Sequence, residues 1–326
     1  MESHTISSGV QGNRHRYFAV DLASLRADRL LSFDLYVYVE GNTVLYREKS
    51  LPFSDDVRKR LLEHRVKQVY IHENQRQAYL GYMEQELPGL LRDELVPAAT
   101  KAHIVYATSK VIAENILSNP TFGENLKRSE KLVEQTVGFL TRGPESFRNL
   151  VKLSDADYKL YSHSVNVCTY TLGLAQYVGV DDPSELTALG VGAMLHDVGK
   201  TRIDPRIMRK RSPLSHAEFE LMKKHVDFGV EILSGMKDLP KVAFIPVMQH
   251  NEREDGSGYP RGLVGDQIHL FGKITAIADV FDALTTERVF RKAFTAYDAF
   301  KEMLKLPLDQ ELLRGFIALL GPDAKA

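Results

Sequence analysis

The sequence predicts a mainly α-helical protein in which a helical bundle forms the C-terminal half and a small α+β domain precedes it. From about Leu95 onward, apolar residues recur at helical spacing between helix-capping residues and breaks that contain glycine or proline. Before Leu95, short segments rich in β-branched and aromatic residues alternate with helix-length segments. The chain has 326 residues, which is enough for about two domains and a substantial core.

Local patterns predict three strands and two helices in the α+β domain. β-branched and aromatic residues favour strands, glycine favours turns, and serine favours the first position of a helix. The predicted elements, in order, are a strand over residues 33–39, a turn at Gly41-Asn42, a strand over 43–46, a helix over 54–64 that Ser54 caps, a strand over 68–71, and a helix that runs to about Glu86 and is ended by Pro88-Gly89.

The later part of the chain reads as almost entirely helical. The first two predicted helices cover 101–117 and 124–140. Ser154 caps the next, which carries His163, and Pro183 lies in the first turn of the following one, which ends at His196-Asp197. A capping box of Ser215 and Glu218 opens a helix that carries His225, and the last two predicted helices cover about 241–251 and a segment that starts near Gln267 and carries Asp279. Asp255 to Pro260 is a glycine-rich loop, because two glycines and a proline do not suit a helix interior.

These elements divide the chain into four predicted segments. Residues 1–14 are polar and expected to be disordered. Residues 15–94 form the α+β domain, 95–149 a helical connector, and 150–326 the helical bundle. The α+β domain carries no metal-ligand cluster, phosphate-binding glycine loop or nucleophile motif, so we expect it to be a regulatory or interaction domain. Residues 15–149 are expected to bind a second copy of the chain or a signalling protein.

Composition excludes several classes of function. A formal net charge of −1 does not support binding to nucleic-acid polymers or to anionic membranes. No apolar run approaches the ~20 residues needed to span a bilayer, and the N-terminus does not resemble a signal peptide. We therefore expect a cytoplasmic protein without a membrane partner. The single cysteine, Cys168, excludes a thiolate metal cluster.

A set of histidines and aspartates recurs along the predicted helices. It is centred on the adjacent pair His196-Asp197, and its other members are His163, His225, His250 and Asp279. Each interval between them is long enough for a helix and its connection. Successive helices can therefore bring these side chains to a shared metal site in the bundle core. Nitrogen and oxygen donors without thiolates favour Fe, Mn or Zn.

The same residues stand within ordered motifs that resemble those of HD-GYP domains, a branch of the HD metal-dependent phosphohydrolase superfamily. The resemblance covers about residues 150–320. It rests on His196-Asp197-Val198-Gly199-Lys200, on His225 after Met222-Lys223-Lys224, on the run from His250 to Gly258-Tyr259-Pro260, and on Ala278-Asp279-Val280-Phe281-Asp282-Ala283-Leu284-Thr285.

The resemblance implies a C-terminal helical HD-type bundle that hydrolyses cyclic di-GMP, a bacterial second messenger, to pGpG or GMP. It implies two divalent metal ions, of which Fe or Mn are expected. One ion would be held by His163, His196, Asp197 and Asp279, and the second by Asp197, His225 and His250. It also places the substrate phosphates against Lys200, Arg288 and Arg291.

Chemistry supports the same roles for individual residues. Phosphodiester hydrolysis needs an activated water and relief of phosphate charge, which a pair of metal ions supplies. Asp197 suits a bridging position because its two oxygens can each bind one ion. Lys200 can neutralise a phosphate and, with Asp197, is assigned to catalysis. Gly258 permits a close backbone approach to substrate, and Tyr259 can stack or hydrogen-bond. Asp282 is expected to support a ligand or pack a helix.

Two positions depart from the family pattern. Asn251 stands where the family usually has another histidine of the second metal site, and an amide oxygen is a weaker donor than imidazole. Lys159 stands where members with three metals have a glutamate. We therefore predict at most two metals, with the second bound less tightly.

Three functions stay open on the sequence. The first is a metal-dependent cyclic di-GMP phosphodiesterase. The second is a catalytically weak receptor or interaction protein, because Asn251 weakens the second metal. The third is the same enzyme class acting on another cyclic dinucleotide or on a nucleotide monophosphate. The Gly-Tyr-Pro loop and Lys200 favour the first over the third, and no residue separates the first from the second.

Overall fold

Residues 1–108 and 109–326 form separate units in the computed structural model of the chain. The structure describes residues 16–321, apart from 28, 95, 119–122, 155–159, 211, 236–238 and 288–291. The predicted disordered segment 1–14 lies outside the described residues. The division between the units falls inside a long helix, Ala98–Ser118. The four predicted segment boundaries stay predictions.

The first unit is a small α+β structure. Its strands are β1 Tyr17–Asp21, β2 Arg29–Leu30, β3 Leu35–Val39, β4 Asn42–Arg47, β5 Pro52–Phe53 and β6 Gln68–His72; its helices are α1 Asp55–Glu63, α2 Arg76–Arg92 and the start of α3 Ala98–Ser118. The main sheet has the strand order β1-β6-β3-β4 and is antiparallel, and β2 pairs with β5 separately.

One face of the main sheet forms the core of this unit. Phe18, Val20, Val69 and Ile71 are buried on that face, since alternate residues of a strand point the same way. Phe18 meets the ring of Tyr79 on α2 at a centroid distance of 5.6 Å. The opposite face carries tyrosines that are only part-buried.

The predicted hairpin is present, but its turn lies one residue earlier than predicted. Glu40 and Gly41 form the turn with φ of 48° and 87°, and Asn42 is already paired with Val39. Positive φ at both turn residues matches the twist of the flanking strands. The Ser54 cap is confirmed, since its side chain accepts a hydrogen bond from the Val57 N–H.

Helix α2 does not end before Pro88 as predicted, and it continues to Arg92. A proline near the end of a helix removes one hydrogen bond. Leu87, Leu90 and Leu91 are buried around it. Burial of three leucine side chains offsets that loss, so the prediction was wrong because it ignored tertiary packing.

The second unit is helical. Its helices are the end of α3, α4 Gly123–Leu140, α5 Pro144–Leu153, α6 Leu160–Tyr177, α7 Pro183–Met194, α8 Pro205–Met208, α9 His216–Lys223, α10 His225–Ser234, α11 Phe244–Gln249, α12 Leu270–Thr285, α13 Ala296–Met303 and α14 Gln310–Leu320. Helix α6 packs against both α7 and α12 and is buried over most of its length. The mainly α-helical fold with a small N-terminal α+β part is confirmed.

Two predicted helix boundaries in this unit were wrong. Ser154 does not cap the helix that carries His163; it ends α5, and its hydroxyl donates to the Val151 carbonyl. The helix that opens with the Ser215 capping box, which is confirmed, stops before His225. His225 begins a separate helix, so its side chain stands at a helix start.

A short 3₁₀ helix, Val198–Arg202, follows His196-Asp197 and packs against α10. Gly199 makes this contact possible, because a Cβ there would overlap the His225 carbonyl. The close approach brings Asp197 next to His225.

None of the described helices is long and apolar enough to cross a membrane.

Candidate metal centre

The predicted metal ligands meet in one cluster in the second unit. His163 lies on α6, His196 and Asp197 follow α7, His225 begins α10, His250 follows α11, and Asp279 lies on α12. All are buried except Asp279, which is part-exposed. Their ligand atoms form three overlapping groups in which all atoms lie within 4.8 Å of one another.

Asp197 lies at the centre of the cluster, with a different histidine pair beside each carboxylate oxygen. Its Oδ2 is 3.5 Å from His163 Nε2 and 3.4 Å from His196 Nε2. Its Oδ1 is 3.4 Å from His225 Nε2 and 3.7 Å from His250 Nε2. This geometry suits a carboxylate that bridges two cations.

Asp279 completes the first side of the cluster. Its Oδ1 lies 3.3 Å from His163 Nε2 and 3.9 Å from His196 Nε2. Two imidazoles and two carboxylate oxygens therefore face one small volume on this side.

Each histidine ring is held through its other nitrogen. The Nδ1 atoms of His196, His225 and His250 lie 2.7 to 2.8 Å from the carbonyl oxygens of Ala193, Met222 and Pro246. A ring that donates from Nδ1 leaves the Nε2 lone pair free to bind a cation. All of these Nε2 atoms point at the cluster.

His163 is held by a carboxylate instead of a carbonyl. Its Nδ1 lies 2.7 Å from Asp282 Oδ2, and the other oxygen of Asp282 accepts a hydrogen bond from Asn166 Nδ2 at 2.8 Å. Asp282 is fully buried and stands behind His163, away from the other ligands. Asn166 was missed in the sequence, although its position one helical turn after His163 was a usable signal.

Burial and charge give the cluster the protonation states that a cation needs. Burial would raise the pKa of Asp197, but the Lys200 ammonium and the neighbouring histidines outweigh it and hold the pKa well below the usual range. The pKa of Asp279 is also lowered despite burial, through its contact with His163. Burial lowers the pKa of His250 to about 3 and also lowers that of His225. Ionised carboxylates and neutral imidazoles are the forms that bind metals.

Two buried atoms of the cluster make no hydrogen bond: His196 Nε2 and Asp197 Oδ1. A buried polar atom without a partner costs about 1–3 kcal/mol, so its persistence points to a ligand that it serves. The clustered histidine and aspartate donors fit a divalent metal ion, which would satisfy both atoms.

Asn251 lies against the second histidine pair. Its Nδ2 is 2.7 Å from His250 Nε2 and 3.4 Å from His225 Nε2. The amide carries an oxygen at the same end, and half a turn of the side chain exchanges the two atoms. An amide thus occupies the place where a further imidazole would complete this side.

Lys200 lies on the 3₁₀ helix beside the cluster. Its Nζ donates to Asp197 Oδ2 at 2.5 Å, and the side chain remains partly exposed to solvent. Lys200 therefore brings a positive charge from the surface of the unit to the central carboxylate.

The Gly-Tyr-Pro loop closes one wall of the cluster. The ring of Tyr259 stands edge-on to His225 at 6.3 Å and to Phe219 of α9 at 5.9 Å, and burial raises the pKa of Tyr259 to about 12. A Cβ at Gly258 would lie 2.5 Å from the Arg253 backbone nitrogen. Glycine is thus required at 258 by the loop's own packing.

Glu252 holds this loop in place and was not assigned a role from the sequence. It is buried, and its two oxygens accept hydrogen bonds from the backbone N–H groups of Arg261 and Leu263 at 2.8 and 2.9 Å. The predicted substrate residues Arg288 and Arg291 lie outside the described residues, as does Lys159.

A family model described as "HD domain" matches residues 145–309, slightly more than half of the chain. The chain belongs to the HD domain family. The recognition of HD-GYP motifs is confirmed, and the matched region contains every predicted ligand.

Three curated relatives match between 41% and 72% of this chain. A cyclic di-GMP phosphodiesterase of Pseudomonas aeruginosa is 29% identical over 72% of this chain and 57% of its own length. A 3′3′-cGAMP-specific phosphodiesterase of Vibrio cholerae is 41% identical over 44% of this chain and 27% of its own. A cyclic di-GMP phosphodiesterase response regulator of Xanthomonas campestris is 38% identical over 41% and 34%. The chain thus spans less than two thirds of these relatives.

A solved structure shares the fold over nearly the whole chain. It is an HDG"Y"P protein from Bdellovibrio bacteriovorus, with a TM-score of 0.68 and 22% sequence identity. The alignment covers 93% of this chain and 99% of that one. At this identity, the likeness establishes the fold alone.

Proposed function

We propose that this HD domain is a metal-dependent phosphodiesterase that hydrolyses cyclic di-GMP to pGpG, GMP or both. The observation that carries the proposal is the position of Asp197, with one histidine pair facing each of its oxygens. The names of several relatives support the substrate.

The proposed centre holds two divalent ions, Fe or Mn. One is assigned to His163, His196, Asp197 and Asp279, and the other to Asp197, His225 and His250. The nitrogen and oxygen donors support this choice, since thiolates would favour other metals and the sole cysteine, Cys168, is not in any of the three ligand groups. Asn251 leaves the second ion with the poorer donor set. When bound, such a pair activates water near neutral pH and offsets phosphate charge.

The protein groups then have distinct tasks in the proposed reaction. A water oxygen forms a bond to phosphorus, the bond between phosphorus and a ribose oxygen breaks, and the ribose oxygen gains the proton that the water gives up. Lys200 neutralises charge on the phosphate, and Asp197 contributes one carboxylate oxygen to each side of the centre. Tyr259 contacts the substrate from the loop wall, on a backbone that Gly258 allows to fold tightly. Arg288 and Arg291 are proposed as further phosphate contacts.

Asn251 supports one second candidate, a protein that binds cyclic di-GMP but turns it over slowly. The amide lies against His225 and His250, where a stronger donor would hold the second ion. Under this alternative, ligand binding persists while hydrolysis is weak.

Residues 15–149 are proposed to bind a partner, either a second copy or a signalling protein. The cytoplasmic location stays a prediction.

One experiment separates these functions. The purified protein, loaded with Mn or Fe(II), is incubated with cyclic di-GMP, and the products are separated by chromatography. Asp197→Ala is compared with Asp266→Ala, which changes an exposed aspartate in the same unit. We expect pGpG or GMP from the wild type and Asp266→Ala and none from Asp197→Ala. Binding without turnover in the metal-loaded wild type would favour the receptor. Faster turnover of 3′3′-cGAMP than of cyclic di-GMP in the same assay would replace cyclic di-GMP as the proposed substrate.

A further inference from the structure

Strand β4 of the first unit has a free edge. The sheet order β1-β6-β3-β4 gives β4 a strand neighbour on one side only, among the residues that the structure describes. An edge strand offers a row of backbone N–H and C=O groups to another strand. Proteins usually protect long edges with lysine, proline or a covering element.

The side chains of β4 do not protect this edge. Val44, Leu45 and Tyr46 are consecutive, apolar or aromatic, and exposed. Tyr38 and Val39 on the neighbouring strand are exposed beside them. Since alternate residues face opposite sides of a sheet, apolar surface is exposed on both faces at this edge. A strand that pairs here would cover both.

We propose that β4 pairs antiparallel with β4 of a second copy of this chain, which makes the protein a homodimer. The pairing deepens the proposed partner-binding role of residues 15–149 and does not depend on catalysis. A two-fold axis across β4 satisfies the free backbone groups of both copies at once and buries identical apolar residues.

The charges at the two ends of β4 favour this occupant and this direction. Glu40 precedes the strand, Arg47 ends it, and Lys49 follows. Antiparallel pairing places the acidic start of one strand beside the basic end of the other. Parallel pairing would place like charges together, which is unfavourable on neighbouring strands.

The test measures the mass of the full chain by light scattering during size-exclusion chromatography, over a range of concentrations. Leu45→Lys puts a charge on the edge, and Leu62→Lys puts the same charge on α1 of the same unit. The two leucines are similarly exposed, at 46% and 52%. We expect dimers for the wild type and Leu62→Lys, and a dissociation constant at least about tenfold weaker for Leu45→Lys, since one charge on a paired apolar site costs more than about 1.4 kcal/mol.

A second measurement keeps the test independent of folding defects. Leu45→Cys and Leu62→Cys are treated with a short thiol-specific cross-linker. Cys168 should not react with the cross-linker because it is buried, and burial raises the pKa of its thiol to about 12. We expect a covalent dimer for Leu45→Cys alone. A monomeric wild type at every concentration, an undisturbed dimer in Leu45→Lys, or equal cross-linking at both positions would overturn the proposal.

Discussion

The two sides of Asp197 are built from different donors. On one side, His163 and His196 face a second carboxylate, Asp279, and a further carboxylate holds His163 from behind. On the other side, His225 and His250 face the amide of Asn251, and the ligand atom of His250 also lies within 4.8 Å of a carboxylate oxygen of Asp279. Anionic oxygen and imidazole are stronger ligands for Fe or Mn than a neutral amide. In the proposed centre, Asp197 therefore joins a stronger set of donors to a weaker one.

The largest effect is expected from Asp197→Ala, which removes the residue that both sides share. Both ions should be lost, and hydrolysis of cyclic di-GMP should fall to the level of the metal-free protein. Elemental analysis and a turnover assay check this outcome. Retention of two ions by Asp197→Ala would show that the sides do not depend on a shared carboxylate.

His163→Ala and His225→Ala test the two sides separately. We expect His163→Ala to lose the tightly held ion and His225→Ala to lose only the weaker one. The reason is that each histidine faces a different oxygen of Asp197. Mn content after dialysis distinguishes them, with His216→Ala, an exposed histidine on α9, as the control. Equal losses in both variants would contradict the unequal sides.

Asp282→Asn tests the support behind His163. The amide keeps the shape but removes the charge that orients the ring, and such outer partners typically contribute roughly 10- to 100-fold in metal affinity. We expect a loss of that size on the first side and no change on the second. Metal titration gives the affinities, and the thermal unfolding temperature reports whether the fold is intact. A lower unfolding temperature with an unchanged metal affinity would mean that Asp282 only packs the helices.

The smallest effect is expected from Asn251→His, which adds the missing imidazole. We expect the second ion to bind about tenfold more tightly, equivalent to about 1.4 kcal/mol, with a matching gain in turnover at low metal concentration. Asn251→Ala is the matched control and should show no gain. An unchanged second affinity in Asn251→His would place the amide outside the metal's reach.

Much of this centre could be predicted because metal ligands leave a strong pattern in the sequence. His196-Asp197 and the histidines at helix-length intervals are visible without a structure, and all of them converge. Asn166 was missed although it lies one helical turn after His163, and Glu252 was not assigned a role because a polar residue that holds a loop has no spacing rule of its own. Their roles depend on Asp282 and on the Arg261 and Leu263 backbone, which only the fold brings near.

The fold shows the same division between local and tertiary causes. The Ser54 cap and the Ser215 capping box were predicted correctly because they depend on a few adjacent residues. Strand β1 was missed because its partner β6 lies far along the chain. The break before His225 and the continuation of α2 through Pro88 depend on packing against other elements, which local propensity does not contain.

A calorimetric titration of the metal-free wild-type protein with Mn tests directly whether Asp197 joins a strong and a weak metal site. We expect two binding steps per chain of unequal affinity, with both absent in Asp197→Ala. A single ion per chain, or two ions of equal affinity, would contradict a bridging Asp197 between a strong and a weak side.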